Sequence, residues 1–265
     1  MRNVKGPRAF FVQFFIVLSL LSSYSFASSE EVRAIVFDCD GVLADTEYLK
    51  FKAWKKAFAA YDVHIRERDY FIHCGHPGKY IYHAICKDRG ISIPEKILVE
   101  KQQNYEELQK QGVLPIESAV RFLKSLYARR KELNIRLGLA SSPRRTEVLE
   151  NVRQLGLKDC FDAIVSGKDD LSDYDDPEGK NKPKPYIYQE VLRLLDIPPE
   201  RCIVFEDSNS GVTAAHQAGC FVVAIPNRYT LHQDFSDADL IVTGLNKVNI
   251  RKLLDQLNQR EVVVH

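Results

Sequence analysis

The sequence predicts an α/β protein: a doubly wound parallel sheet with an α-helical cap inserted after its first strand. Short apolar runs recur without polar alternation, the pattern of strands buried on both faces of a parallel sheet. Helical segments separate those runs, as parallel connections require. Between residues 47 and 113 the alternation stops and only helical pattern remains, which marks the insertion.

The elements follow in order. Residues 34–37 form the first apolar run and end on Asp38. The insertion reads as helices over 47–61, 66–72, 79–89 and 94–111, interrupted by the loop Gly75-His76-Pro77-Gly78. Further strands are expected at 136–140, 161–165, 202–205, 221–225 and 240–242, with helices over 117–131, 145–155, 186–195 and 210–218. The expected core is therefore 31–46 with 114–258, and the cap is 47–113.

Residues 1–27 form a separate object. Arg2, Lys5 and Arg8 precede a mostly apolar run over 9–21, followed by a small polar stretch ending at Ala27. That is the layout of a cleaved secretory signal, and because the run is shorter than the roughly 20 residues of a membrane span an uncleaved anchor is the second reading. Export to the periplasm or medium is expected if the signal is used, and a cytoplasmic location otherwise. No stable membrane insertion is expected after cleavage.

The 265 residues are 45% hydrophobic and 28% charged, an ordinary globular composition. A net charge of +1 gives no electrostatic basis for nucleic-acid binding. Removing the signal would take away three basic residues and no acid. Six cysteines without a C-x-x-C pair do not make a disulfide scaffold, and most are expected unpaired.

Ligands of open parallel sheets collect at the carboxyl ends of the strands. Four constellations stand there: Asp38-Cys39-Asp40-Gly41, Ser141, Lys182 within Lys182-Pro183-Lys184-Pro185, and Glu206-Asp207-Ser208-Asn209-Ser210-Gly211. Acids suit a hard cation such as Mg2+. A hydroxyl and an ammonium suit an anion, and phosphate needs its charge neutralised before a nucleophile approaches.

With these motifs in this order, the chain after about Glu31 resembles the haloacid dehalogenase superfamily, in its phosphatase and β-phosphoglucomutase-like branch, whose core is Rossmann-like. The resemblance implies that Asp38 is a nucleophile forming an aspartyl-phosphate and that Asp40 is the general acid and base. It implies Mg2+ held by Asp38, the backbone carbonyl of Asp40 and Asp207, with Glu206 ligating directly or through water, and Ser141 and Lys182 on the phosphoryl group. The implied reaction is hydrolysis of a small phosphorylated metabolite, a sugar phosphate by preference, by a monomer. The alternatives are a phosphomutase or a non-catalytic phospho-ligand binder. Mutases of the branch carry a His where this chain has Lys50, a departure that speaks against mutase activity.

The remaining expectations are local. Lys79 is the candidate cap contact to substrate, and Trp54 is expected in the cap core. Tyr186 replaces an acidic residue often found after the lysine motif and is expected to alter the hydrogen bonding around Lys182. The cap residues His73, Cys74, His76, His83 and Cys86 match no zinc spacing. Residues 169–180, rich in Asp, read as a mobile solvated loop rather than a calcium site.

Overall fold

The structure, a computed structural model, describes residues 32–263. The expected signal over residues 1–27 lies outside them. In chain order the strands are β1 (Arg33–Phe37), β2 (Ala44–Asp45), β3 (Leu114–Pro115), β4 (Ile135–Ser141), β5 (Ala163–Ser166), β6 (Cys202–Glu206), β7 (Phe221–Ala224) and β8 (Leu240–Ile241). The helices are α1 (Glu47–Ala59), α2 (Glu67–Phe71), α3 (Gly78–Arg89), α4 (Ile97–Gln111), α5 (Glu117–Arg129), α6 (Arg145–Gln154), α7 (Tyr186–Leu195), α8 (Asn209–Gln217) and α9 (Ile250–Val263).

Six strands form one parallel sheet in the order β5-β4-β1-β6-β7-β8. Successive side chains of a strand point to opposite faces, and both faces here are apolar. Ile35, Phe37, Leu139 and Phe205 join one layer with Leu123 of α5, Val148 of α6 and Leu253 of α9. Val36, Val204 and Val222 join the other with Val191 of α7 and Val212 of α8. Each fully buried Val, Leu, Ile or Phe contributes roughly 1.5–3 kcal/mol, so two covered faces hold the strand ends rigidly.

The inserted helices α1 to α4 bury their own apolar cluster, including Phe51, Trp54, Phe58, Tyr70, Ile81 and Ile97. The chain passes between sheet and cap through β2 and β3, a two-residue antiparallel ladder too short to show as a sequence pattern. One helix beyond the expected set is present: α9, whose Ile250, Leu253, Leu254 and Leu257 are buried at i, i+3, i+4, i+7 spacing. None of the six cysteines forms a disulfide, and all are buried. Among the described residues no helix is long and apolar enough to cross a membrane.

Candidate active site

The strand order reverses beside β1. The chain builds outward through β4 and β5, then crosses to β6 and builds the other way. Such a switch point opens a crevice at the strand carboxyl ends. Register fills it. Phe37 pairs with Phe205, so Asp38 and Glu206 leave neighbouring strands side by side. On the other flank Phe37 pairs with Leu139, which puts Ser141 at the end of β4.

Lys182 joins the two acidic strand ends. Its Nζ donates to Asp38 Oδ1 at 2.7 Å, to Glu206 Oε1 at 2.6 Å and to the Ala140 carbonyl at 3.2 Å. Burial opposes its charge, but Asp38 and Glu206 prevail and hold Lys182 protonated above the ordinary lysine range. Asp38 is pushed up to about 7, chiefly by burial, with Lys182 working against that shift. Burial, then the charges of Glu206 and Asp38, push Asp207 well above the carboxylate range.

Glu206 is saturated. Oε1 accepts Lys182 and the Tyr188 hydroxyl (2.7 Å), while Oε2 accepts the amides of Asp207 and Ser208 and the Ser208 hydroxyl. A carboxylate has about four acceptor sites, so ligating a metal would require Glu206 to exchange a donor. Gly211 makes its close packing possible, because a Cβ there would lie 1.9 Å from Glu206 Oε1.

Asp40 is held from two directions. Lys50 Nζ lies 2.7 Å from its Oδ2, and Asn151 Nδ2 donates to its Oδ1 at 3.3 Å. Lys50 is braced by Glu47 at 2.8 Å, and Glu47 accepts the Tyr70 hydroxyl at 2.9 Å. Burial disfavours the Lys50 charge, yet Asp40 and Glu47 raise its pKa well above the ordinary value. Lys50 is therefore a working part of the cavity, not a surface lysine.

Among the described residues, Asp38, Glu206 and Asp207 form the group whose ligand atoms converge, all within 4.8 Å. Three buried carboxylates with raised proton affinity at two of them are a donor set that fits a hard dication. Ser141 Oγ is buried in the cavity wall and has no hydrogen-bond partner, an acceptor and donor left open for a ligand. The cavity between sheet and cap measures about 300 Å³.

The cap contributes differently from expectation. Lys79 does not line the cavity; its ammonium lies 3.1 Å from Glu95 on the exposed side of the cap. A cap cation that does line the cavity, besides Lys50, is Lys101, its Nζ 5.1 Å from the centre of the Tyr105 ring and 5.9 Å from that of Trp54. Burial lowers its pKa. Trp54 is core, 1% exposed, yet one edge reaches the cavity. The cap histidines and cysteines do not converge as ligands among the described residues; His76 stacks on Tyr80 at 4.2 Å instead.

One other expectation is corrected: the Tyr186 hydroxyl donates to Asp176 at 2.9 Å rather than reaching Lys182. The loop over 169–180 is largely exposed, as expected of a solvated loop, with its first two residues anchored: Asp169 accepts the Arg145 amide at 2.7 Å, and Asp170 accepts the Ser166 amide at 2.8 Å. Sequence reading also missed Tyr188, Asn151 and Asn227. A tyrosine on the apolar face of α7 is a legible signal for a buried hydroxyl; the two asparagines offer none.

The haloacid dehalogenase-like hydrolase family profile matches residues 35–225, and the chain belongs to that family of enzymes. It is 35% identical over 195 residues to a phosphorylated carbohydrates phosphatase of Thermotoga maritima, covering 71% of this chain and 82% of that one. It is 33% identical over 225 residues to protein CbbY of Cereibacter sphaeroides, covering 80% and 91%. The crystal structure of CbbY from Rhodobacter sphaeroides in complex with phosphate superposes with a TM-score of 0.68 at 29% identity, covering 82% of this chain and 96% of that one. Relatives named for an activity include phosphatases of phosphorylated sugars and a β-phosphoglucomutase of Bacillus subtilis, 27% identical over 248 residues.

Proposed function

We propose that the protein is a Mg2+-dependent phosphatase that hydrolyses a small phosphate monoester, a sugar phosphate by preference, through an aspartyl-phosphate on Asp38. The observation that carries this reading is Lys182 bridging Asp38 and Glu206 beside the unpartnered Ser141 hydroxyl. A cation and a donor flank a carboxylate nucleophile, as transfer of an anionic group demands.

In the proposed reaction, Lys182 and Ser141 bind non-bridging oxygens of the phosphoryl group. Asp38 attacks phosphorus as the bond to the substrate oxygen breaks, and Asp40 gives its proton to that leaving oxygen. Asp40 then takes a proton from water as the water attacks the aspartyl-phosphate, releasing inorganic phosphate and restoring Asp38. Asp38, Asp207 and the Asp40 carbonyl would hold Mg2+, with Glu206 at its edge. When bound, the ion supplies positive charge that favours ionised Asp38 and offsets repulsion between that carboxylate and the substrate. Lys50 and Asn151 aim the Asp40 carboxyl.

The test is phosphate release from a panel of sugar phosphates with and without Mg2+. Release that needs both Mg2+ and Asp38 supports the reading, and equal turnover by Asp38→Asn sinks it. β-Glucose 1-phosphate separates the reactions, because a phosphatase yields free phosphate and a mutase yields glucose 6-phosphate. We further propose export through the segment over 1–27 and action as a monomer. N-terminal sequencing of the processed chain and sedimentation test these two points.

A further inference from the structure

Resting on the magnesium reading above, we propose that Asn227 is a positioning residue of the metal site, fixing the Asp207 carboxylate through its side-chain amide. Asn227 follows β7 in the loop Pro226-Asn227-Arg228-Tyr229-Thr230. The loop orients its amide. Oδ1 accepts the Tyr229 amide at 2.9 Å, and the Asn227 backbone amide donates to Thr230 Oγ1 at 3.1 Å. Thr230 is itself buried. With the side-chain oxygen committed to that turn, the nitrogen faces the site. Nδ2 donates to Asp207 Oδ2 at 2.6 Å and to the Gly41 carbonyl at 3.3 Å.

One amide therefore ties the turn after β1 to the turn after β6. Asp207 has need of it. Lys182 is committed to Asp38 and Glu206, and Lys50 to Asp40 and Glu47. No ammonium or guanidinium among the described residues pairs with Asp207, whose side chain is buried beside two other acids. A carboxylate with one oxygen held by a fixed donor cannot turn freely, so its other oxygen keeps one direction. Gly41 leaves the room: a Cβ there would lie 2.1 Å from Asp207 Oδ2 and 3.0 Å from Asn227 Nδ2. Groups that orient metal ligands in this way affect affinity without touching the ion.

The experiment is Mn2+ binding to the full chain, read from the resonance of free Mn2+, for wild type, Asn227→Ala, Asn227→Asp and Asp207→Asn, with Tm recorded for each. Both Asn227 variants are expected to weaken Mn2+ binding by about 10- to 100-fold. The Asp variant is the sharper one. It retains the shape and the acceptor for the Tyr229 amide, and it adds negative charge near a cation while removing the donor. Affinity that is unchanged or tighter in Asn227→Asp overturns the proposal, as does an Asn227→Ala protein with lower Tm and unaltered Mn2+ affinity. The magnesium reading fails separately if wild type takes up no Mn2+, or if Asp207→Asn binds it as wild type does.

Discussion

Lys50 Nζ stands 2.7 Å from Asp40 Oδ2, so a cap side chain braces the carboxyl that follows the first strand. Replacing Lys50 with Met removes the brace and leaves Glu47 and Asp40 buried without their cation, at a cost of about 3 kcal/mol in stability. First-turnover cleavage of an alkyl phosphate should slow by up to about 100- to 10,000-fold, the gain general-acid catalysis supplies. Cleavage of a nitrophenyl phosphate, whose leaving group needs no proton, should slow much less. Rapid-quench kinetics on the two esters check this, and equal losses would remove Lys50 from the proton-transfer step.

Lys101 is a partly buried ammonium of the cap, with ring faces beside it and no carboxylate within ion-pairing distance among the described residues. An unpaired charge drawn partly out of water costs folding energy. Lys101→Met should therefore raise stability by about 1 kcal/mol while raising KM for the sugar phosphate, the exchange of stability for binding seen at functional sites. Thermal melts and initial rates measure both, and a lower Tm with unchanged KM would contradict it.

Gly41 occupies the left-handed region, φ +85°, with Asp207 against its α-carbon. Gly41→Ala meets both a backbone penalty of about 1–3 kcal/mol and a steric clash that displaces Asp207. The expected outcome is a lower Tm together with loss of Mn2+ binding; a stable variant with wild-type affinity would show that the turn has slack.

The raised pKa of Asp38, about 7 against 3.8 for an unperturbed carboxyl, has a definite sign in stability. Between those values the folded chain binds more protons than the unfolded chain, so metal-free stability falls as pH rises from about 4 to about 7. Asp207 shifts in the same direction. Mg2+ competes with those protons, so its stabilising effect grows over the same window. Melting curves with and without Mg2+ should separate by several degrees at pH 7.5 and converge near pH 5. A gap that widens on acidification would contradict the assignment.

The sheet was legible because burial on both faces leaves runs such as 202–205 continuously apolar, and the acids Asp38, Glu206 and Asp207 stand where those runs stop. Lys182 was legible from its place in a proline-stiffened segment before a helix. The cap was legible as helices but not as chemistry. Lys79 and Lys101 are both lysines on cap helices, and only the packing of α4 against Trp54 turns the second inward while Glu95 draws the first outward. Asn151 and Asn227 reach Asp40 and Asp207 across 111 and 20 residues of chain, so no local spacing announces them.

The most direct measurement is acid-quenched peptide mass spectrometry after mixing the Asp40→Asn protein with Mg2+ and a nitrophenyl phosphate. The side-chain amide of that variant can accept no proton from water, so the phosphoryl group should remain on the chain, mapped to Asp38 and absent from the Asp38→Asn, Asp40→Asn double variant. A phosphoryl group on any other residue, or none on the chain while nitrophenol is released, would contradict Asp38 as the nucleophile.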